Sequence, residues 1–316
     1  MAGSSAELSS TERGYVTNGK PMLVASNAIT TTGGAPIWNN GTSGTFAEDD
    51  RTESQFPGYY ACDGQIDVVT YPIAEAEPYL TGGDGVWRLL ARLDTAKDID
   101  VAIVAGLNLA ALTGTFVVSI QLSDTSDFAA TVEIASWTTT SSQRLVDVEL
   151  YHTGSVARRY SGYAYARLII RRSGSTSFFR PSVGELVLGR RRQLTHKPRI
   201  GPGYDDRRLF SRGTRVETRT GSRTTYEDFR GRRELSATFL VDDTTERDDI
   251  RTWFEEASYG HGHWAWIEDP SSSPANTTYW MDLEEESRLD FPLEGPTHRG
   301  WTLGAVELPR FLSAET

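Results

Sequence analysis

Seven short apolar runs follow one another between Val86 and Gly189, and they limit the possible folds more than any other feature of the chain. The runs are VWRLLARL, IDVAIVAGL, FVVSIQLS, TVEIASW, RLVDVELY, YAYARLIIRR and VGELVLG. They are rich in Val, Ile, Leu and aromatic residues, and they are bounded by Gly, Ser, Asp or Thr. Short strands separated by turn residues are typical of all-β sandwiches and jelly rolls. We therefore predict a jelly-roll β-sandwich over residues 60–189.

A different pattern follows the sandwich and includes the one convincing helix of the sequence. In DDTTERDDIRTWFEEASYGHG the apolar residues repeat at helical spacing, namely Ile250, Trp253, Phe254 and Ala257. A helix with a single apolar face has to lie on a sheet, and strand-like segments such as RRELSATFLV, WAWIED, TYWMDLEE and GWTLGAVELP flank it. The prediction for residues 190–316 is an α+β module with one packed helix, so the whole chain is expected to be mainly β.

Residues 1–59 are rich in Gly, Ser, Thr and Asn and contain only short apolar islands, at 22–24 and at 37–38. This composition is typical of irregular strands or of a segment that orders on contact with a partner. We predict an N-terminal arm outside the main cores.

The composition limits the partners of the chain. Its 316 residues carry a net charge of −11, which argues against general affinity for nucleic acid or anionic membrane. No apolar run approaches the roughly twenty residues of a membrane span, so membrane insertion is not expected. The single cysteine, Cys62, cannot form an intrachain disulfide, and a cytoplasmic origin is the default expectation.

Basic and acidic residues are segregated along the second half of the chain. Residues 180–233 contain fifteen basic and six acidic side chains, whereas residues 234–316 contain five basic and eighteen acidic ones. Subunits with such opposed segments can associate head to tail and close into a ring. The predicted interface residues are Arg190, Arg191, Arg192, Arg207, Arg208, Arg232 and Arg233. An alternative is that these charges are paired inside the domain or simply solvated. Direct binding of nucleic acid is a less favoured interpretation of the basic segment, because the segment contains no nucleic-acid-binding motif.

No constellation of residues in the sequence indicates catalysis. His261 and His263 lie near acidic residues, but no third ligand has a motif-like spacing for a metal. The acidic residues Asp282 and 284–286 are typical of the solvated face of a strand rather than of a hydrolase cleft. The sequence also lacks GxSxG, GxGxxG and CxxC. We expect no enzymatic activity, no metal and no cofactor.

Aromatic residues in or beside the sandwich strands indicate a different kind of site. A jelly roll can present such rings, with polar neighbours, as a surface that stacks on sugars. The candidate glycan contacts are Trp137, Tyr163 and Tyr165. Core packing explains aromatic residues in a sandwich equally well.

Three stretches resemble tail-tip proteins of tailed bacteriophages. The first is GYAYARLIIRR followed by VGELVLGRRRQLT. The second is RRLFSRG with YEDFRGRRELSATFLVDDTTERDDIRTWFEEA, and the third is WAWIEDP with GWTLGAVELPRF. Together they cover about Val86 to Pro309. The chain thus resembles a distal tail or minor tail protein of the tail tip (baseplate) of a long-tailed phage.

This resemblance implies that residues 190–316 are a tail-hub-like module and that the jelly roll is galectin- or carbohydrate-binding-like. It also implies a structural role in the virion. Such a protein forms a homo-oligomeric ring, here expected to be a hexamer or a trimer, that joins the tail tube to the host-adsorption apparatus and contacts other tail-tip proteins. The implied location is the tail tip, after assembly in the host bacterial cytoplasm. In many distal tail proteins the hub module comes first, whereas here it follows the sandwich. The alternative function is carbohydrate-binding receptor recognition, in which the protein contacts host surface glycans.

Overall fold

The computed structural model of this protein describes residues 3–7, 21–40, 44–47, 50–63, 69–73, 86–109, 112, 114–139, 145–149, 151–152, 156–173, 179–196, 204–217, 223–241, 244–257, 263–268, 278–283, 289, 291 and 299–308. For residues 139, 145–149, 151–152, 156–157, 204–217, 223–233 and 278 the description is confined to the backbone.

The described elements are strands, one 3-10 turn at Gly58–Cys62 and one α-helix. In chain order they are β1 (Ser4–Glu7), β2 (Met22–Val24), β3 (Ile29–Thr30), β4 (Ile37–Asn39), β5 (Val86–Leu93), β6 (Val101–Ala105), β7 (Phe116–Ser123), β8 (Val132–Thr139), β9 (Leu145–Glu149), β10 (Tyr151–His152), β11 (Val156–Ser161), β12 (Tyr165–Arg172), β13 (Glu185–Gly189), β14 (Arg191–Gln193), β15 (Tyr204–Glu217), β16 (Arg223–Val241), α1 (Thr244–Glu256), β17 (Trp264–Ile267), β18 (Thr278–Leu283) and β19 (Arg299–Glu307).

Two antiparallel sheets form the β-sandwich. The larger sheet has the order β3–β5–β12–β7–β8, with β4 also paired to β5, and the smaller sheet has the order β13–β6–β9. The chain passes from one sheet to the other between β5 and β6, between β6 and β7, between β8 and β9, and between β12 and β13, as in a jelly roll. A third small sheet has the order β1–β11–β10. The predicted jelly-roll sandwich in a mainly β chain is confirmed.

The sandwich core forms because alternate residues of each strand face inward. On β12 the inward residues are Ala166, Leu168 and Ile170, and all three are fully buried in one apolar cluster. Trp38 and Trp87 pack edge to face in the same cluster, with ring centroids 6.3 Å apart. Buried rings of this size supply much of the apolar area that stabilises a sandwich.

The second module is a seven-stranded antiparallel sheet, ordered β14–β2–β17–β18–β19–β16–β15, with α1 packed on one face. Helix α1 buries Ile250 and Trp253, as its periodicity predicts. The Trp253 ring lies 4.8 Å from that of Trp264 and 5.9 Å from that of Trp301. The predicted α+β module with one packed helix is confirmed. Within the described part of the chain, no helix has the length and apolar character needed to cross a membrane.

The smaller sheet of the sandwich packs against the seven-stranded sheet through its second face. Val101, Ile103 and Ala105 of β6 form one buried cluster with Ala265 and Ile267 of β17. The intervening residues of β6 face the sandwich core instead. Strand β6 therefore contributes to two cores at once, which explains why its sequence VAIVA is apolar throughout rather than alternating.

The N-terminal segment differs from the expected separate arm. Strand β2 lies between β14 and β17 in the seven-stranded sheet, while β3 and β4 pair with β5 in the sandwich. Leu23 and Trp38 are fully buried, one in each module. The two apolar islands are central parts of the cores. The described residues 21–40 thus belong to both modules rather than to an arm that awaits a partner.

Candidate functional site

The three aromatic residues predicted to contact a glycan do not lie in one place. Trp137 and Tyr163 are partly buried and pack against the sandwich core. Trp137 is opposite Val118, which pairs with Ile170 of β12, five residues along that strand from Tyr165. Five residues of strand span about 17 Å. Of the three, only Tyr165 lies on the outer face of the larger sheet among other aromatic rings.

Three rings from separate segments meet on that outer face. The Tyr165 ring centroid lies 5.5 Å from that of Phe46 and 6.4 Å from that of Phe128, and Phe46 and Phe128 stack at 6.3 Å. The loop that carries Phe46 is fastened to the turn that carries Phe128, because the Phe46 amide donates to the carbonyl of Ser126 over 3.2 Å. The rings form a fixed cluster.

Two arginines complete this cluster. The guanidinium of Arg92 lies 4.8 Å from the centroid of Phe46, and that of Arg167 lies 4.6 Å from the centroid of Phe128. Arg167 also donates from Nε to Gln121 Oε1 over 2.8 Å. We call the five residues Phe46, Arg92, Phe128, Tyr165 and Arg167, together with Gln121, the aromatic–arginine face.

Strand register explains why these side chains meet. Tyr165 pairs with Arg92 of β5, and Arg167 pairs with Gln121 of β7. Tyr165 and Arg167 are two residues apart, so they point to the same side of β12, opposite the core. The polar and aromatic groups therefore stand on three adjacent strands, which form a rigid base for them.

The two loops that supply Phe46 and Phe128 contain residues with unusual backbone conformations. Gly44 has φ +60, and a Cβ there would lie 2.2 Å from Cδ of Arg88, so the loop reaches the sheet only with glycine at this position. Its carbonyl accepts from Nη1 of Arg167 over 3.0 Å. Phe128 has φ 52, unusual for a bulky residue. Such backbone strain is found where the surroundings fix a side chain firmly, often at functional sites.

The turn before Phe128 is held by side-chain hydrogen bonds. Ser123 donates from Oγ to the carbonyl of Ala130 over 2.9 Å, and Thr125 donates from Oγ1 to Asp127 Oδ1 over 2.5 Å. The hydroxyl of Thr125 lowers the pKa of the Asp127 carboxyl. The side chains of the turn therefore fix its own backbone. Ser, Asp and Thr are the residue types that are typical of such a turn between antiparallel strands.

A second aromatic group lies around the 3-10 turn, and sequence reasoning missed it. Tyr59, with 44% of its surface exposed, is the large apolar residue most open to solvent in the described ranges, and its ring lies 4.7 Å from that of Tyr60. Phe56 and Tyr71 are in edge contact at 5.1 Å, and the Arg180 guanidinium lies 4.8 Å from the centroid of Tyr71. We call Phe56, Tyr59, Tyr60, Tyr71 and Arg180 the rim cluster. The adjacent tyrosines in GYYACDG were the available signal.

Other reactive groups do not assemble into a catalytic arrangement in the described part of the chain. Burial raises the pKa of the Cys62 thiol to about 12, which keeps it protonated and unreactive at neutral pH. His263 Nδ1 and Asp282 Oδ1 are hydrogen-bonded. His261 and residues 284–286 lie outside the described residues, and within those ranges no group of three His, Cys, Asp or Glu side chains could hold a metal.

The arginines predicted to dock neighbouring subunits divide into two sets. Arg192 is buried within the subunit, where it pairs with Asp249 at 3.1 Å and with Glu256 at 2.8 Å on α1. Arg191 is also buried. These two side chains are therefore not part of an exposed docking surface, because their charges serve contacts inside the subunit. This corrects the prediction for them in favour of its alternative, pairing within the domain.

The remaining predicted interface residues have other positions. Arg190 is partly buried, and its amide donates to Ser26 Oγ over 3.1 Å. Four arginines lie in the hairpin of β15 and β16, where Arg207 pairs with Glu234, and Arg208 with Arg233; Arg232 pairs with Leu209. For these four arginines the structure describes the backbone and its strand pairing.

Comparisons with known proteins return solved structures only. No family model matches the chain, and no curated protein does. The chain is similar to the family 32 carbohydrate-binding module of Clostridium perfringens NanJ in complex with galactose (14% identity, 53% of this chain, 98% of that chain, TM-score 0.34). It is also similar to a pectin-binding carbohydrate-binding module (13% identity, 52% of this chain, 92% of that chain, TM-score 0.33). Identities and TM-scores this low leave the ligand of this chain to be judged from its own residues.

Proposed function

We propose that this protein binds carbohydrate, without turnover, on the outer face of its sandwich. The observation that carries the proposal is the aromatic–arginine face, in which one ring, two guanidinium groups and one amide on adjacent strands meet two further rings from a loop and a turn. Sugar-binding surfaces need flat apolar rings for the C–H faces of a pyranose and directional hydrogen-bond groups for its hydroxyls. The sandwich core alone does not require Phe46, Phe128 and Tyr165, because they lie on the opposite side of β12 from it.

The residues of the aromatic–arginine face would have different roles in binding. The Tyr165 ring is partly exposed and would stack on the sugar, while Phe128 is buried and supports Phe46 from below. Arg167 and Gln121 are already hydrogen-bonded to each other, which holds both groups in place before a ligand arrives. Such preorganisation lowers the entropic cost of binding.

Tyr165→Ala is expected to weaken glycan binding at least tenfold, or about 1.4 kcal/mol. The variant removes the exposed ring of the face and leaves the core untouched. Affinity is measured by titration calorimetry on the full chain, with a glycan selected from an array. The matched control is Tyr59→Ala, which removes a tyrosine of the rim cluster and should leave the affinity unchanged.

Two results would count against this assignment. Loss of binding in Tyr59→Ala but not in Tyr165→Ala would move the site to the rim cluster. Failure of the intact chain to bind any glycan on the array would remove the proposed function altogether.

A second candidate function is favoured by one feature of the hairpin formed by β15 and β16. These strands pair from Tyr204 opposite Ala237 to Glu217 opposite Arg223, whereas β19 pairs with β16 only from Glu234 to Val241. The outer part of the hairpin is thus a two-stranded ribbon that extends about 30 Å beyond the sheet. Two strands alone are marginally stable in water, and both edges offer unpaired backbone groups.

We propose, as this second candidate, that the ribbon docks on neighbouring copies in a homo-oligomeric ring. In that role the protein would be a distal tail or minor tail protein of a phage tail tip, located in the virion and contacting the tail tube and other tail-tip proteins. The support is the ribbon together with the sequence resemblance. The two candidates are compatible, since the aromatic–arginine face and the ribbon belong to different sheets.

Shortening the ribbon is expected to abolish self-association without loss of the fold. Replacing residues 210–231 with Asn-Gly would join Leu209 to Arg232, which are paired neighbours, through a two-residue hairpin turn. The melting temperature should change by a few degrees at most, while mass photometry should show monomers in place of rings. The ring proposal fails if the intact chain is itself monomeric at micromolar concentration, or if the shortened chain assembles equally well.

A further inference from the structure

We propose that the glycan bound by the aromatic–arginine face is an acidic one, whose carboxylate is held by Arg92. The inference rests on the proposed carbohydrate-binding function and names the chemical class of its ligand. It depends on three features of the face: the unused donors of Arg92, the alignment of further arginines beside it, and the positions of the nearest acidic side chains.

Arg92 has donors available for a ligand. Its Nε donates to the carbonyl of Gly33 over 3.1 Å, and its guanidinium lies over the Phe46 ring. Within the described ranges no carboxylate pairs with it, and the four N–H groups of its terminal nitrogens remain for other acceptors. The side chain is partly exposed. A guanidinium fixed at Nε and by a ring presents its terminal nitrogens as a planar fork, the geometry that a carboxylate accepts.

Two glycines lie beside the side chain of Arg92. Gly33 and Gly34 have φ +85 and +131, a conformation that favours glycine, and at neither position does a side chain cover the guanidinium. A Cβ at Gly34 would lie 4.0 Å from Cζ of Arg92. The ring of Tyr165, directly opposite Arg92 in the sheet, borders the same space. A sugar stacked on Tyr165 would therefore place a substituent near the guanidinium.

Arginines repeat on this side of the sheet, although the chain as a whole is acidic. Arg88 and Arg92 flank Leu90 on β5, and Leu90 pairs with Arg167 of β12. Residues two apart on a strand point to the same side, so the three guanidinium groups belong to one patch. Arg88 is buried, so Arg92 and Arg167 are the partly exposed cations of this patch, and their charge favours an anionic ligand over a neutral one.

The acidic side chains nearest the patch either accept hydrogen bonds within their own turns or lie at its far side. Asp94 follows β5 two residues after Arg92, and its carboxylate accepts from the Ala96 amide over 3.0 Å. Asp127 precedes Phe128, and its carboxylate accepts from Thr125 Oγ1 and from the Ala129 amide. Glu133 of β8 is exposed and pairs with Gln121, with β7 and β12 between it and Arg92. A bound carboxylate is therefore expected at the Arg92 end of the face, away from Glu133. The sugar ring would lie over Tyr165, and Gln121 would be near its hydroxyls.

The test compares matched acidic and neutral glycans with the full chain. Calorimetry is performed with oligogalacturonate and its methyl ester, with glucuronate and glucose oligomers, and with sialylated and desialylated oligosaccharides. At least one acidic member should bind tenfold or more tightly than its neutral partner, and 0.5 M NaCl should reduce that preference. Arg92→Gln should abolish the preference, and Arg92→Lys should restore it only in part, because lysine keeps the charge but lacks the planar fork.

Arg171→Gln is the matched control. Arg171 is exposed on the same side of β12, six residues from Tyr165, so its replacement removes the same charge without touching the face. Equal affinity for acidic and neutral partners, or a preference that survives Arg92→Gln or falls equally in Arg171→Gln, overturns the inference and leaves carbohydrate binding intact. Binding to none of the six ligands, together with no binding on a broad glycan array, overturns both.

Discussion

Replacing Leu23 with aspartate is expected to prevent the seven-stranded sheet from folding. Leu23 is fully buried in the middle of β2, where it pairs with Arg192 of β14 on one side and Trp266 of β17 on the other. The substitution removes about 2 kcal/mol of apolar burial and places an uncompensated carboxylate in the core, which costs several kcal/mol more. The sum is comparable with the whole stability of a typical domain.

The measurement is thermal unfolding followed by circular dichroism and tryptophan fluorescence. Leu23→Asp should lack the cooperative transition of the parent chain or be insoluble. Leu23→Met, which keeps the volume and apolarity, should cost less than about 1.5 kcal/mol. A Leu23→Asp chain with an unchanged melting temperature would show that residues 1–59 are dispensable for the fold, as their composition alone predicts.

Asp100→Ala is expected to cost about 3–5 kcal/mol of stability, because it breaks a buried charge cluster where the two modules meet. Asp100 has 1% of its surface exposed. Its Oδ1 accepts from the Arg191 amide over 2.8 Å, and its Oδ2 accepts from Nε and Nη2 of Arg159, each over 3.2 Å. Alanine would leave these donors unsatisfied. Asp100→Asn keeps one of the two acceptor oxygens and turns its NH2 towards the donors of the other, so it should cost less than Asp100→Ala but not be neutral, as measured by urea unfolding at pH 7.

The same carboxyl gives stability a pH dependence of defined sign. Burial raises the pKa of Asp100, although Arg191 and Arg159 oppose the change. The folded state therefore holds this proton more tightly than the unfolded state. The resulting stabilisation is present below the ordinary aspartate pKa of about 3.9, and it is lost as the pH rises through the raised pKa of the folded state. Asp100→Asn should remove this component, so an identical pH profile in both chains would contradict the assignment.

Periodicity predicts the parts of this fold whose apolar residues repeat within one element. The run around β12 and the helix α1 are of this kind, because each presents its residues of the apolar core at a regular spacing. Strand β2 has three residues, too few for any period, and Gly and Ser surround it. Its place is fixed by partners far along the chain, at β14 and β17. Local sequence carries no signal of such pairing.

Of the aromatic residues at the candidate site, the sequence predicted only Tyr165. The other two, Phe46 and Phe128, could not be predicted because they too are placed by contacts with distant parts of the chain. Tyr165 lies in a strand that the sequence predicts, so an aromatic ring on a sheet could be expected there. Phe46 comes from a loop in the segment interpreted as an arm, and Phe128 from a turn with an unusual backbone. Trp137 and Tyr163 have the right residue type, but they pack against the core. Whether an aromatic residue faces the core or solvent depends on the register of the sheet.

The segregation of charge along the sequence did not correctly predict which residues lie on an exposed surface for contact between subunits. Arg192 and the acidic residues of α1 belong to the opposed segments that indicate contact between subunits, yet they pair within one chain because β14 lies beside the helix. Opposite charges far apart in sequence satisfy each other wherever the fold brings them together. The ribbon of β15 and β16, found from strand pairing, is a better indication of self-association than the net charges.

The most direct test of carbohydrate binding at the aromatic–arginine face is a crystal structure of the full chain with its tightest glycan from the array. We predict a sugar ring stacked on Tyr165, with its acidic substituent within hydrogen-bond distance of the terminal nitrogens of Arg92. A glycan bound at the rim cluster around Tyr59, or at any surface remote from Phe46 and Tyr165, would contradict this assignment.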